Sequence, residues 1–242
     1  MLIHPLYSIN GQTFLAESLT LTGLFRDYPG SLPWNGTASV GNSSSHNITT
    51  GSTSTPGPII NSRKTANFDG TQSITTADNI SVYFTTVNTF SGWVLFNTAS
   101  VTTNNTVNKF VNQCLLCYHG ASFFYVYLRS TGNIGFGIFN GTANVEVETT
   151  FNIGKWQLVE FSISGGTTMS IRCSNDKLFA TNSTAAGMGA SAAPIDIGVD
   201  PGGTNFYNGI IAEIGLYNNL LTAQNFDDIR YNYIPRRYGI VV

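Results

Sequence analysis

From residue 66 onward, short stretches in which apolar and polar side chains alternate recur about every ten residues, with Gly, Asn or Ser between them. A period of two is the repeat of a β-strand that shows one face to a core and the other to something else. Phe124, Val126 and Leu128 share one face, with Tyr125, Tyr127 and Arg129 opposite. Ile134, Phe136 and Ile138 alternate with Gly135 and Gly137. Val145 and Val147 alternate with Glu146 and Glu148, which predicts a strand facing water on one side. Ile80, Val82 and Phe84 form a further set, as do Met169, Ile171 and Cys173. Ile210, Ala212, Ile214 and Leu216 line up against Ile211, Glu213 and Gly215. Residues 156–163 change phase between Leu158 and Val159, which predicts a bulge there. One segment has helical spacing instead. Thr222 stands as N-cap, Phe226, Ile229 and Tyr233 share a face, and Pro235 is expected just past the end. The expected class is all-β, a two-sheet antiparallel sandwich with one short C-terminal helix.

A chain of 242 residues is within the range of a single all-β domain. Charged residues make up only 10%, against about 25% in ordinary globular proteins. Asn, Thr, Ser and Gly take their place, so the surface hydrogen-bonds through neutral groups. The net charge is -2, and no Lys/Arg cluster exceeds the pair Arg236–Arg237. A nucleic-acid partner needs a basic stripe to displace counterions, so that class is excluded. No run approaches the roughly 18–20 apolar residues of a membrane span, and no membrane partner is expected. Residues 1–10 have neither the basic nor the apolar region of a secretory signal. Three cysteines, Cys114, Cys117 and Cys173, do not make a disulfide framework, which points to a reducing site of synthesis. Seven Asn-x-Ser/Thr sites, at Asn35, Asn42, Asn47, Asn79, Asn104, Asn140 and Asn182, follow by chance from a composition this rich in those residues.

Residues 1–65 lack the regular strand rhythm and read as an N-terminal arm, with a low-complexity loop at 41–58. Residues 66–242 read as the sandwich domain. The arm's apolar residues Leu15, Leu19, Leu21, Leu24 and Phe25 are expected to be held by a neighbouring molecule. The rival is that residues 18–25 supply a first strand of the sandwich itself.

The stretch from Ile195 to Tyr233 carries a resemblance. Ile197–Gly198 ends one strand, Phe206 and Gly209 lead into another, Ala212–Glu213 and Tyr217–Asn218 follow, and the helix begins after Thr222. Upstream, Phe68–Asp69–Gly70, Gly92–Trp93–Val94 and Lys155–Trp156 stand in the matching order. In these features residues 66–235 resemble the laminin-G-like and concanavalin A-like (pentraxin-type) jelly rolls, as also found in phage virion proteins. The resemblance implies a jelly-roll topology, with Trp156 in the core and its truncation costing about 3–5 kcal/mol. The family hosts lectins, adhesion modules, hydrolases and virion proteins, so fold alone does not assign function.

Four groups of residues are candidates for chemistry. Retaining glycosidases on this kind of fold carry a strand patterned Glu-x-Asp-x-x-Glu. Here Glu146 and Glu148 lack the third carboxylate, and a solvated strand face is the stronger reading. The family also implies loop carboxylates on Ca²⁺, for which Asp196 and Asp200 are the candidates. Asp200 in Asp-Pro-Gly-Gly is more simply a turn residue. Cys114, Cys117, His119 and Cys173 match a zinc set in number. Their apolar surroundings favour core packing instead. His4, His46 and His119 come with no nucleophile motif. Tyr125, Tyr127, Tyr207 and Tyr217 are candidate rings for a sugar or a protein neighbour, but sandwich cores also consume aromatics, so no individual ring is assigned. No catalytic, cofactor-binding or metal residue is assigned.

The sequence therefore leads to a non-enzymatic virion structural protein with a lectin-like fold, a phage capsid decoration (cement) protein or a tail-associated protein. Its expected partners are a major capsid or tail protein and copies of itself, and its expected place is the virion. The alternative is a carbohydrate-binding adhesion module of a secreted or surface protein, with a glycan as ligand and an extracellular location.

Overall fold

The computed structural model describes residues 54–63, 65–76, 88–101, 113–118, 120, 122–174, 176–183, 188, 193–217 and 219–242, together with the backbone of four short strands earlier in the chain. Those four are β1 (Tyr7–Ile9), β2 (Gln12–Phe14), β3 (Phe25–Asp27) and β4 (Ile48–Thr50). Then come β5 (Thr55–Pro56), β6 (Ala66–Asp69), β7 (Ile74–Thr76), β8 (Phe90–Thr98), β9 (Gln113–Tyr118) and β10 (Phe123–Leu128). They are followed by β11 (Asn133–Phe139), β12 (Asn144–Thr150), β13 (Trp156–Ser164), β14 (Thr168–Arg172), β15 (Ala180–Asn182), β16 (Ile195–Ile197) and β17 (Asn208–Tyr217). The chain ends in α1 (Ala223–Asp228), a π-helical turn (Ile229–Tyr233) and α2 (Ile234–Tyr238). The set Ile80, Val82 and Phe84, the leucines of the leading segment and all three histidines lie outside the described residues.

The strands form two antiparallel sheets. The first runs β15-β14-β13-β8-β17-β6-β5, and the second runs β12-β11-β10-β9-β16-β7-β4. β1 and β2 pair only with each other. β3 lies along β17 at Ile214–Leu216, beyond the stretch that pairs β6. Short strands before residue 66 therefore add to both sheets: β3 and β5 to the first, β4 to the second.

Side chains from both inner faces make one core. Phe68, Phe90, Val94, Phe96, Phe124, Val126, Phe136, Phe161, Ile214 and Leu216 belong to it, all fully buried. Phe90 meets Phe124 at 4.9 Å and Phe136 meets Phe161 at 5.1 Å between ring centroids, the tilted approach that aromatic quadrupoles favour. The Phe68–Asp69–Gly70 turn has a local cause. Asp69 Oδ1 accepts from Thr71 N at 2.9 Å and Thr71 Oγ1 at 2.7 Å, and Gly70 takes a φ of 90°.

The outer face of the first sheet is closed by the C-terminal helix. Trp93, Leu95, Leu158, Ala212 and Tyr217 of the sheet bury against Phe226, Ile229, Tyr233, Ile234 and Tyr238. Thr222 caps α1 as expected, in a reciprocal box with Asn225. Pro235 is not past the end. It stands in the first turn of α2, where a missing N–H costs nothing, and the helix stops only at Gly239 in the left-handed region. The π-helical turn before it widens the coil and lets the run continue.

Three expectations about strand phase and burial are corrected. β13 pairs β8 and β14 without a register shift, so residues 156–163 hold no bulge. The apparent change of phase arises because this strand is buried on both sides, Val159 in the inter-sheet core and Leu158 under the helix. The bulge is in β17 instead, between Ile211 and Glu213. Ala212 is the extra residue there, so Ile211, Ile214 and Leu216 face the core while Ala212 and Tyr217 meet the helix. Trp156 is only half-buried, at the margin of the helix-side cluster, and of the two described tryptophans Trp93 is the deeply buried one.

Candidate functional site

Among the described residues the helix packs on the outer face of the first sheet, and the outer side of the second sheet carries a cluster of polar and aromatic side chains. Its residues follow from register. Tyr125 on β10 stands opposite Gly137 on β11, which stands opposite Glu146 on β12. Tyr127, Gly135 and Glu148 make the next row. The two glycines are what let this grid form. A Cβ at Gly137 would collide with the Tyr125 ring, and one at Gly135 with the Tyr127 ring. The rings therefore lie across the middle strand and reach the carboxylates on the far one. Tyr125 OH donates to Glu146 Oε1 at 2.7 Å, and Tyr127 OH donates to Glu148 Oε1 at 2.8 Å.

Arg129, just past β10, closes the grid. Its Nη2 donates to Glu146 Oε2 at 2.6 Å, its Nε donates to Glu148 Oε1, and its carbon lies 5.0 Å from the Tyr127 ring centre. Asn133 Nδ2 donates to Glu148 Oε2 at 2.9 Å. The carboxylates and guanidinium keep 19–28% side-chain exposure, so a ligand can reach them. At the other end of the same face, Phe123 and Phe139 pair at 5.0 Å and are half-buried. Phe123 also meets Tyr125 at 5.7 Å, so an apolar end runs into a polar one.

β9 completes the floor through a register shift opposite Val126–Tyr127. Leu115 is the extra residue, and Cys114 and Cys117 consequently share the tyrosines' side while Leu115 and Leu116 both enter the core. Cys117 Sγ donates to Val199 O at 3.2 Å, so the loop after β16 covers this part. Burial pushes the Cys117 thiol well up, and it is not a reactive thiolate.

The candidates separate accordingly. Cys173 sits in the inter-sheet core, away from Cys114 and Cys117 on the opposite side of the second sheet, so the three thiols do not converge. Asp200 is a turn residue: Oδ1 accepts from Thr204 N and Asn205 N, each at 2.7 Å, and Oδ2 from Asn205 Nδ2 at 2.7 Å. Asp196 accepts from Thr75 Oγ1 at 2.6 Å. None of the four tyrosines offers an open ring. Tyr207 is in the core, Tyr217 lies under the helix, and Tyr125 and Tyr127 are sealed at 4% and 0% exposure within their own face. Glu146 and Glu148 do not form a plain solvated face, since the tyrosines and Arg129 hold them. The sequence placed Tyr125, Tyr127 and Arg129 on one face and Glu146 and Glu148 on one face. That the two faces are the same could have been read from the paired glycines between them. The Phe123–Phe139 pair was missed.

The electrostatics suit binding better than acid–base work. Burial, then the adjacent glutamates, push both tyrosine phenols well above their usual range, so they stay protonated donors. Burial alone would raise Glu148, but donors from Asn133, Tyr127 and Arg129 outweigh it and lower its pKa. A depressed native pKa contributes stability above the unfolded value of about 4.5, and that contribution is lost as pH falls through the native value. The denaturant midpoint is therefore expected to fall on acidification below pH 4.5, and Glu148→Gln to flatten that limb. An acid limb unchanged in the variant would show that Glu148 gains nothing from the grid.

Residues 68–225 match the Laminin_G_3 family, described as the concanavalin A-like lectin/glucanases superfamily. Among curated proteins nothing matches by sequence. Three solved structures show the same fold. Domain 4 of AbnA, a GH43 extracellular arabinanase from Geobacillus stearothermophilus in complex with arabinotriose, is 16% identical with a TM-score of 0.64, over 87% of this chain and 98% of that one. A CBM40 of a Ruminococcus gnavus IT-sialidase, bound to α2,3-sialyllactose, is 11% identical with a TM-score of 0.52, over 66% and 92%. A heptameric SAP-like pentraxin from Limulus polyphemus is 13% identical with a TM-score of 0.50, over 67% and 79%. The family match spans the inner strands of both sheets and reaches the first turn of the helix that closes one of them, and by it the chain belongs to the concanavalin A-like lectin/glucanases superfamily.

Proposed function

We propose that this domain binds a glycan on the outer face of its second sheet and does not itself cleave it. The observation that carries the reading is the Phe123–Phe139 pair standing beside a grid of Glu146, Glu148, Arg129 and Asn133. A sugar ring has an apolar face that packs on an aromatic and a rim of hydroxyls that need fixed acceptors and donors. Among the described residues, both needs are met on the outer face of the second sheet. Structures similar in fold include a carbohydrate-binding module bound to sialyllactose and a domain bound to arabinotriose, which supports a saccharide as occupant.

Hydrolysis would require one carboxyl kept protonated as acid while another works as base or nucleophile. Here one guanidinium bonds both glutamates, and the donors around Glu148 lower its pKa, the opposite of what a proton-donating acid needs. Glycan binding takes precedence over the virion role expected from the sequence, because two of the three structures described above hold a saccharide. Such a module works where glycans are displayed, at a cell or particle surface.

A glycan array on the full chain tests the reading, followed by titration calorimetry of the best hit. Weak affinity per site is expected, with Phe139→Ala lowering it about fivefold or more, the value of one ring contact of about 1 kcal/mol. An array without hits, or a hit indifferent to Phe139→Ala, would remove the assignment to this face.

A further inference from the structure

We infer that this face selects neutral saccharides and disfavours those bearing a carboxylate, an inference that rests on the glycan reading above. The fixed charges are Glu146 and Glu148 against Arg129. Among the described residues of the second sheet, no Lys or Arg stands in a strand. Among the described residues Arg129 is the cation that reaches the grid, and its Nε and Nη2 are both committed to the glutamates. Further along the same sheet, Asp196 adds a third carboxylate, beside Cys117 in register. Among the described residues of the second sheet's strands, with Arg129, carboxylates therefore outnumber cations.

Its hydrogen-bonding capacity points the same way. A carboxylate offers about four lone-pair positions. Glu146 accepts two bonds, from Tyr125 and Arg129. Glu148 accepts three, from Tyr127, Arg129 and Asn133. The remaining positions are acceptors, which hydroxyl groups of a neutral sugar can fill by donating. A sugar carboxylate brings more acceptors and a like charge to the same place. In this the face differs from what a sialylated ligand needs, although one structure of the same fold is bound to sialyllactose.

The test uses the full chain against an array of glycans in matched pairs, each neutral oligosaccharide beside its sialylated or uronate-bearing counterpart, lactose and 3′-sialyllactose among them. At low salt the acidic member of a bound pair is expected to be weaker by about tenfold, or about 1.4 kcal/mol. The gap should narrow at 1 M salt, where the screening length is about 3 Å. Glu146→Gln should narrow it as well. Equal or tighter binding of acidic members leaves the glycan reading standing and overturns the selectivity. A gap that Glu146→Gln leaves unchanged overturns it too, since the discrimination then has another source. Binding to neither member of any pair removes the glycan reading and the selectivity with it.

Discussion

Glu160→Gln is expected to lower the unfolding free energy by about 3–5 kcal/mol, the usual loss when one partner of a buried ion pair is removed. Glu160 lies on the helix side of β13 with no solvent exposure. Arg172 on β14 grips it at both oxygens, Nε to Oε2 at 2.7 Å and Nη2 to Oε1 at 3.2 Å. Arg230, from the π-helical turn, reaches Oε2 at 2.5 Å. Arg172 also binds Asp227 of α1 at 2.9 Å, and Arg230 Nη1 donates to Asp176 O at 3.0 Å. One carboxylate thus joins two neighbouring strands to the helix. Burial raises its pKa, and the two guanidiniums act against that. The glutamine variant keeps the shape and removes the counter-charge, leaving two buried guanidiniums with too little negative charge between them. Total stability in proteins is only about 5–15 kcal/mol, so the loss is a large part of it. Urea or guanidinium denaturation gives the number. A change below about 1 kcal/mol would show that water reaches the cluster. Because the cluster lies on the opposite side of the sandwich from the proposed glycan face, array binding by the folded fraction should persist.

The strand set of the sandwich was legible because alternation records burial on one face. Phe124, Val126 and Leu128 point to the core and Tyr125, Tyr127 and Arg129 away from it, as their spacing predicts. Alternation fails where both faces are buried. Leu158 and Val159 look like a slip for that reason, and the true bulge at Ala212 hides in a run that alternates without a break. The C-terminal helix is the cause of both errors. It converts an outer face of the first sheet into a second core, and period-two counting has no means of seeing it.

The candidate site was legible by halves. Each strand's own face could be read, but strand order joins the tyrosines to the glutamates, and nothing local states strand order. Gly135 and Gly137 were the available signal. Glycine weakens a strand unless something must pass close above it, and here two phenol rings do. Of the candidate tyrosines, Tyr125 and Tyr127 fill the space over the glycines, and Tyr207 and Tyr217 are core residues. In the proposed glycan site the half-buried Phe123 and Phe139 would carry the aromatic contact, and each belongs to a different strand, so their pairing depends on register alone.

Trp93→Ala is expected to cost about 3–5 kcal/mol, whereas Trp156→Ala should cost clearly less. Both tryptophans lie on the helix side of the first sheet, one strand apart. Trp93 is 1% exposed in the middle of β8. Gly215 stands opposite it in register, and a Cβ there would collide with the indole, so the ring lies across β17 as the tyrosines lie across β11. Its Nε1 donates to Tyr217 OH at 3.1 Å, and its edge meets Tyr233 at 6.1 Å. Truncation leaves a cavity floored by a glycine, which no neighbour on that strand can fill, and strips Tyr217 of a buried donor. It also removes the surface on which the helix rests. Trp156 opens β13 at the edge of the same cluster and keeps part of its surface in water. Less apolar area is lost on truncation there, and solvent occupies the space. Denaturant midpoints of the two variants decide the matter. A Trp156 loss equal to or above that of Trp93 would mean that the helix-side core is centred at the start of β13 rather than over Gly215, and the packing described for the C-terminal helix would have to be redrawn.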